Sequence, residues 1–306
     1  MKFRSGPDRG AMQRGFTLVE AVMVIVLTGI IAAVVAVFIQ GPVQGYFDTV
    51  RRSQLSDVAD SALRRIARDL QAALPNSVRS TVDGSQQYFL EFLPVRSAGR
   101  YRAAADGGTN PLDITNSADN SFDVLGPGVA AQAGDSIVIY NTGQSGADAY
   151  QNTGTTNRRG ITSTVPALPT AAATSITFNL VAGAFPNDTS GQFPRDSSSY
   201  RFQVISTPVT YACDAANGTL WRFSGYNIQA SQPVALNVTS QLVAGSGNVT
   251  GQRLATNVVC AADASNIGTG FQVQNGDSLV LLRIQLRDSS GETVSLYREV
   301  HIDNAP

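Results

Sequence analysis

Residues 14–39 read RGFTLVEAVMVIVLTGIIAAVVAVFI, and the fold follows from how this stretch is read. From Phe16 to Ile39 the residues are almost all apolar, and as a helix they would extend roughly 36 Å, enough to cross a hydrocarbon core of about 30 Å. The only acidic or basic side chain in the run is Glu20. Placing a carboxylate one turn inside such a segment costs on the order of a few kcal/mol, so Glu20 is a functional candidate rather than a neutral passenger. The plainer alternative is a membrane anchor with a tolerated acid close enough to one interface to reach it.

What precedes the run argues against that alternative. Residues 1–15 carry Lys2, Arg4, Arg9 and Arg14 against Asp8 and stop at Gly15. In an ordinary secretory signal the apolar segment lies before the cut; here the charged segment ends at Gly15 and the apolar segment follows it. Cleavage after Gly15 leaves the helix on the mature chain. The excess of basic residues places the leader in the cytoplasm and everything beyond Ile39 across the membrane.

Gly15-Phe16-Thr17-Leu18-Val19-Glu20 resembles the type III signal of the type IV pilins and type II secretion pseudopilins. The resemblance implies a prepilin peptidase that cuts between Gly15 and Phe16 and N-methylates Phe16. It also implies other major and minor pilins and an inner-membrane assembly platform as partners, and Glu20 as the acid that sets the register of assembly. That role is physically sensible. The new amine on Phe16 is a charge in water-poor surroundings, and a carboxylate relieves its cost. A neighbouring subunit's carboxylate suits it better than the chain's own, because a helix aligns residues four apart but does not let a side chain fold freely back to its own terminus.

At 306 residues, with 43% hydrophobic and 15% charged, the chain can bury a sizeable core beyond its membrane stem. A net charge of −1 gives no electrostatic footprint for nucleic acid. The two cysteines, Cys213 and Cys260, read as one disulfide outside the cytoplasm rather than a metal site, which would want more Cys or His ligands. Two separate buried thiols are the alternative.

Along the chain, Gly41 and Pro42 end the apolar run and predict a kink or loosened turn. Residues 48–74 regain a helical period, with Leu55, Val58, Ala62, Leu63, Ile66, Leu70 and Leu74 on one side, Asp60 spaced to pair with Arg64, and Pro75 as the stop. Short strands then alternate with Gly-, Ser-, Thr-, Asn- and Asp-rich loops. Expected strands are 87–93, one starting at 100–102, 122–125, 136–140 and 175–181, the last with Ile176, Phe178 and Leu180 on one face. Residues 103–121 and 142–173 read as long loops. In the second half the expected strands are 200–206, 209–213 and 219–226, with Asn217-Gly218 as a turn. A closing hairpin joins 278–287 to 292–302, with Val280, Leu282, Ile284 and Leu286 facing inward. Arg298 interrupts the apolar alternation of its return strand, which points either to a bulge or to an edge position.

Tyr211-Ala212-Cys213, residues 217–222, residues 257–260 and residues 298–306 together resemble the minor pilins of the MSHA (mannose-sensitive haemagglutinin) pilus system, and more distantly the PilW and pseudopilin J group. That likeness implies a low-abundance subunit that initiates or caps a filament. No catalytic constellation is evident. His301 is the sole histidine and has no nucleophile motif beside it, and neither a Walker loop, a dinucleotide fingerprint nor a zinc motif is present. Asp113, Asn116, Asp119, Asn120 and Asp123 supply hard oxygens but lack the spacing of a calcium loop, and read as turn residues.

The sequence therefore predicts an α+β, pilin-like protein that is not an enzyme and needs no cofactor or metal. Its parts are a cleaved leader at 1–15, a transmembrane helix at 16–39 in contact with membrane lipid, an amphipathic continuation at 40–75 and a β-rich head at 76–306. The expected location is the inner membrane, single-pass, with the head in the periplasm, and then the filament. The alternatives are a minor pseudopilin of type II secretion and a tip adhesin that binds through the long loops.

Overall fold

The structure is a computed structural model, and it describes residues 15–84, 87–132, 134–151, 156–162, 173–181, 191–234, 250–260, 268–274 and 278–303. The basic leader residues Lys2, Arg4, Arg9 and Arg14, and the closing residues 304–306, lie outside these. The chain divides into two compact units, Met1–Ser53 and Gln54–Pro306.

The first unit is helical. Helix α1 (Leu18–Gln71) begins there and supplies all of its described regular structure. It passes through Gly41 and Pro42 without ending, although Pro42 has no N–H to give the carbonyl of Phe38. Thr28, a polar residue within the apolar run, bonds back to the helix itself, its hydroxyl donating to the Val24 carbonyl at 2.6 Å.

The second unit begins inside the same helix. Leu55, Ala59, Ala62, Leu63, Ile66, Ala67 and Leu70 recur every three or four residues and are buried. Val58, expected on that face, is 41% exposed. The helix also ends before Pro75. The residue before a proline is driven away from helical angles, and the backbone at 72–74 finds other partners: Leu74 N–H donates to the Leu93 carbonyl at 2.7 Å and Val95 N–H to Ala72 at 2.8 Å.

The strands form three antiparallel sheets. In the first, β1 (Arg79–Val82), β2 (Tyr88–Phe92), β9 (Val209–Asp214), β10 (Thr219–Ser224) and β11 (Thr250–Ala255) lie in that order. The second is β12 (Gly270–Val273), β13 (Leu279–Arg287) and β14 (Thr293–His301). Side chains from both sheets join the helix in one hydrophobic core. Val280, Leu282, Ile284 and Leu286 are 1% exposed or less, as the alternation of β13 predicts. Arg298 is resolved by position: β14 pairs with β13 in regular register, Leu282 opposite Arg298, and it is the terminal strand, so the arginine sits at an edge with no bulge. Its guanidinium lies 3.9 Å from Asp60 of α1, which also pairs with Arg64 at 2.6 Å. Asp69, in the last turn of the helix, is a second polar link, accepting from the Tyr211 hydroxyl at 2.7 Å and from Arg222 Nε at 2.8 Å.

The third sheet departs from the sequence reading. β3 (Val95–Tyr101), β4 (Ser121–Leu125), β5 (Ser136–Val138), β6 (Arg158–Gly160), β7 (Ser175–Thr177) and β8 (Arg201–Ile205) form a six-stranded sheet in the order β6-β5-β8-β3-β4-β7. Arg100 and Tyr101 end a strand rather than start one. The expected 175–181 strand stops at Thr177; Phe178 continues it only as a bridge to Ile161, and Leu180 is 49% exposed. This sheet has its own interior, where Phe122 meets Phe202 edge-on at 5.0 Å and Phe178 meets Phe193 at 5.4 Å. Gly99 makes that packing possible, because a Cβ there would sit 2.9 Å from Val129 Cγ1 and 3.0 Å from the Phe202 ring. Since β2 and β9 pair directly, with Phe89 opposite Ala212, the whole of 95–205 is an insertion between two neighbouring strands.

Two features of the head carry predictions. Glu91 on β2 is fully buried, held by Arg79 at 3.0 Å and by the Tyr226 hydroxyl at 3.2 Å, while Arg79 lies over the Tyr150 ring. Burial raises its carboxyl from an ordinary 4.5 to about 7, against the pull of Arg79. An acid raised on folding stabilises the protein while protonated. Its contribution is complete below pH 4.5, declines as the pH rises and is lost above about 7. Measured by denaturant titration, the wild type should lose on the order of 3 kcal/mol over that window relative to Glu91→Gln, which stays neutral. Parallel curves for the two proteins would show that Glu91 keeps an ordinary affinity for its proton.

Cys213 and Cys260 form a disulfide, with Cα atoms 5.4 Å apart, tying the end of β9 to the segment after β11 across 47 residues. Closing a loop of that length restricts the unfolded chain, an effect worth on the order of 4 kcal/mol. Cys213→Ser with Cys260→Ser should therefore unfold at lower denaturant by a comparable free energy. The same loss should follow reduction of the wild type.

Candidate processing and assembly site

Gly15, Phe16 and Thr17 precede the first turn of α1, and Thr17 caps it. Its carbonyl accepts from Ala21 N–H at 3.1 Å and its hydroxyl from Glu20 N–H at 3.3 Å, so one of the unpaired donors of the first turn is satisfied. Glu20 is the third residue of the helix. Thr-x-x-Glu at 17–20 is the sequence pattern of a capping box. Thr17 carries no charge to single it out, and its cap is legible only from this spacing.

The carboxylate of Glu20 has no hydrogen-bond or ion-pair partner among the described residues. It lies where the exposed N–H groups of the helix favour an anion. Phe16 is 75% exposed and Leu18 81%. Between Glu20 and Asp48 there is no acidic or basic side chain, and α1 is long and apolar enough there to cross a membrane, with none of that stretch covered by the rest of the chain. At its far end exposed Tyr46 and Phe47 meet edge-on, and Asp48 pairs with Arg51 at 3.4 Å. Among the described residues the arrangement is an unpaired anion at one end of an exposed apolar rod.

The remaining candidates lie elsewhere. Cys213 and Cys260 belong to the head, and His301 is an exposed residue of β14. The acidic stretch at 113–120 is folded into turns: Asp113 accepts from Thr115 N–H and hydroxyl, and Asp119 from the N–H groups of Asp113 and Ser121; Asp123, expected as a turn residue, lies instead on β4 opposite Ser175. The Thr115 bonds hold the Asp113 carboxyl below its ordinary value. Among the described residues no three His, Cys, Asp or Glu side chains come together to hold a metal.

Compared with known proteins, the chain matches the family model of the prokaryotic N-terminal methylation motif over residues 10–36. No curated protein and no solved structure matches it. The motif, the uncovered apolar helix and the antiparallel sheets packed on that helix's second half make this an α+β, pilin-like protein anchored in a membrane by its N-terminal helix. The motif also implies processing by a prepilin peptidase and assembly with other pilins.

Proposed function

We propose that the chain is a minor pilin, MshO-like, of an MSHA-type type IV pilus, which enters the filament through α1 and helps to initiate or cap it. The peptidase cuts between Gly15 and Phe16 and methylates the Phe16 amine. Glu20 of one subunit then pairs with the Phe16 amine of another, and the Gly41-Pro42 turn, short of one backbone bond, is where the stem gives as subunits pack. The head stands in the periplasm until the subunit is drawn into the filament. The observation that carries this reading is the lone Glu20 carboxylate one turn inside an apolar helix, with no partner and no cover among the described residues.

Mass spectrometry of the protein recovered from sheared surface fibres tests it. The first residue should be Phe16, one methyl group heavier than phenylalanine. Material that still begins at Met1, or that never enters fibres, overturns the proposal. A minor pseudopilin of type II secretion would share this chemistry, and recovery with a secretion apparatus rather than surface fibres separates the two.

One observation favours a second reading, a tip adhesin. The insertion 95–205 folds around its own aromatic core, apart from the core that packs on α1. Normal piliation with lost attachment after surface substitutions in the insertion would support it.

A further inference from the structure

The outer face of the second sheet carries a small pocket that the assembly role does not use. On β14, Leu296 packs on the helix core, so alternation turns Tyr297 to the opposite face, where it is 69% exposed. Register sets Gly270 of β12 opposite Arg283 of β13, and Arg283 opposite Tyr297, in one row across the three strands. Gln272 and Leu281 make the next row. With Tyr88 of β2, these residues line a cavity of about 180 Å³. Gly270 leaves room that the fold does not need. A Cβ there would lie 3.5 Å from the Tyr88 ring and 3.6 Å from Arg283 Nη2, both ordinary contacts, and its backbone is not left-handed. A strand glycine that serves neither a bulge nor a bend marks a place where a ligand comes close.

We infer that this pocket binds one uronic acid unit of an acidic polysaccharide, its ring against Tyr88 and Tyr297 and its carboxylate on Arg283. This goes beyond the assembly role and holds whichever filament the chain enters. The volume is below the roughly 300–1,000 Å³ of sites that enclose a whole small molecule, so it suits one ring of a longer ligand. The electron-rich face of a tyrosine attracts the C–H face of a saccharide ring, and Gln272 and the phenol hydroxyls can meet its hydroxyls. Among the described residues that line the pocket, Arg283 is the only charged one, and its sign calls for an anion. Its Nε donates to the Gly268 carbonyl at 2.5 Å, which orients the guanidinium, and its further N–H donors allow it to serve a carboxylate as well. The chain's net charge of −1 does not draw polyanions as a whole, so the selection is local.

Retention of the full chain, in a detergent without a sugar head group, on immobilised oligoglucuronate tests this. The wild type should be retained and eluted by free glucuronate, and should be held at least fivefold less on a neutral glucose oligomer. Tyr297→Ala, which removes an exposed ring, and Gly270→Leu, which fills the gap, should each lower retention at least tenfold without moving the denaturant midpoint of the head. Arg283→Gln should erase the preference for the acidic oligomer. No retention on oligoglucuronate, equal retention on both oligomers, retention indifferent to Tyr297→Ala and Gly270→Leu, or retention only on a proline-rich peptide would each overturn the inference. A protein that is cut at Phe16 and enters fibres yet is not retained defeats this site alone and leaves the proposed function standing.

Discussion

A chain carrying Gly15→Val is expected to accumulate in the membrane at its full length, with the fraction beginning at Phe16 reduced more than tenfold, a change of about 1.4 kcal/mol or more in the barrier to cleavage. Among the described residues nothing requires glycine there. A Cβ at Gly15 would meet no atom within 4 Å, and the backbone is not in the left-handed region where side chains are strained. The valine is therefore neutral for the fold, and the head should unfold at the same denaturant concentration as the wild type. Any requirement for glycine belongs to the peptidase, whose active site must admit the backbone at the bond to be broken. Intact mass measurement of membrane-extracted protein reads the outcome directly, and normal processing of Gly15→Val would remove Gly15 from the recognition element.

The elements legible in the sequence are those whose pattern is set locally. The apolar run of α1, the 3.6 period from Leu55 to Leu70 and the two-residue alternation from Val280 to Leu286 each need only a window of residues, because each reflects one face turned to one core. What stayed hidden depends on distant partners. β1, with Arg79, Ser80, Thr81 and Val82, looks like a loop until Glu91 and its neighbours pair with it. β6 is Arg158, Arg159 and Gly160, yet Arg159 is 2% exposed because Gln192 and the Thr156 carbonyl hold its guanidinium. Thr250-Gly251-Gln252-Arg253 forms most of β11 with little apolar content, since that strand lies at an edge.

The insertion is the clearest case. Nothing local announces that β2 and β9 are neighbours across 95–205, and described polar stretches such as 113–120 and 142–151 read as loops because turn bonds such as Asn116 N–H to Asp113 and Ala147 N–H to Gln144 satisfy their backbone locally. The same holds at Gly191, where a Cβ would run into the Ile114 carbonyl oxygen, a close approach of chain segments far apart in sequence. At the candidate site the balance reverses. Gly15, Phe16, Thr17 and Glu20 are all readable from order and spacing, because they fall within six consecutive residues at the start of α1 and the Thr17 cap is a local bond.

Glu20→Gln should be cleaved and anchored as the wild type is, yet its recovery in sheared fibres should fall at least about a hundredfold, corresponding to roughly 3 kcal/mol per incorporated subunit. The argument starts from what the substitution keeps. Gln is similar in shape, leaves the Thr17 cap in place, because the Glu20 backbone N–H is the donor there, and makes the helix no less apolar. It removes only the negative charge. Among the described residues that charge has no partner, so its loss should not destabilise the monomer, and the head core, which draws nothing from the first turn of α1, should be indifferent. Within a packed bundle of stems the Phe16 amine is a cation with little water to solvate it. N-methylation leaves it charged, since a methyl group does not remove the proton. A subunit that brings no carboxylate leaves that cation uncompensated, and removing one partner of a buried pair is costly, about 3 to 5 kcal/mol. Glu20→Asp separates charge from reach: it restores the anion on a shorter arm and should recover part of the incorporation, which a purely steric role for the side chain would not allow. Wild-type recovery of Glu20→Gln in fibres, with its cleavage intact, would mean that register is set by packing along the apolar faces and that the carboxylate is not needed for assembly.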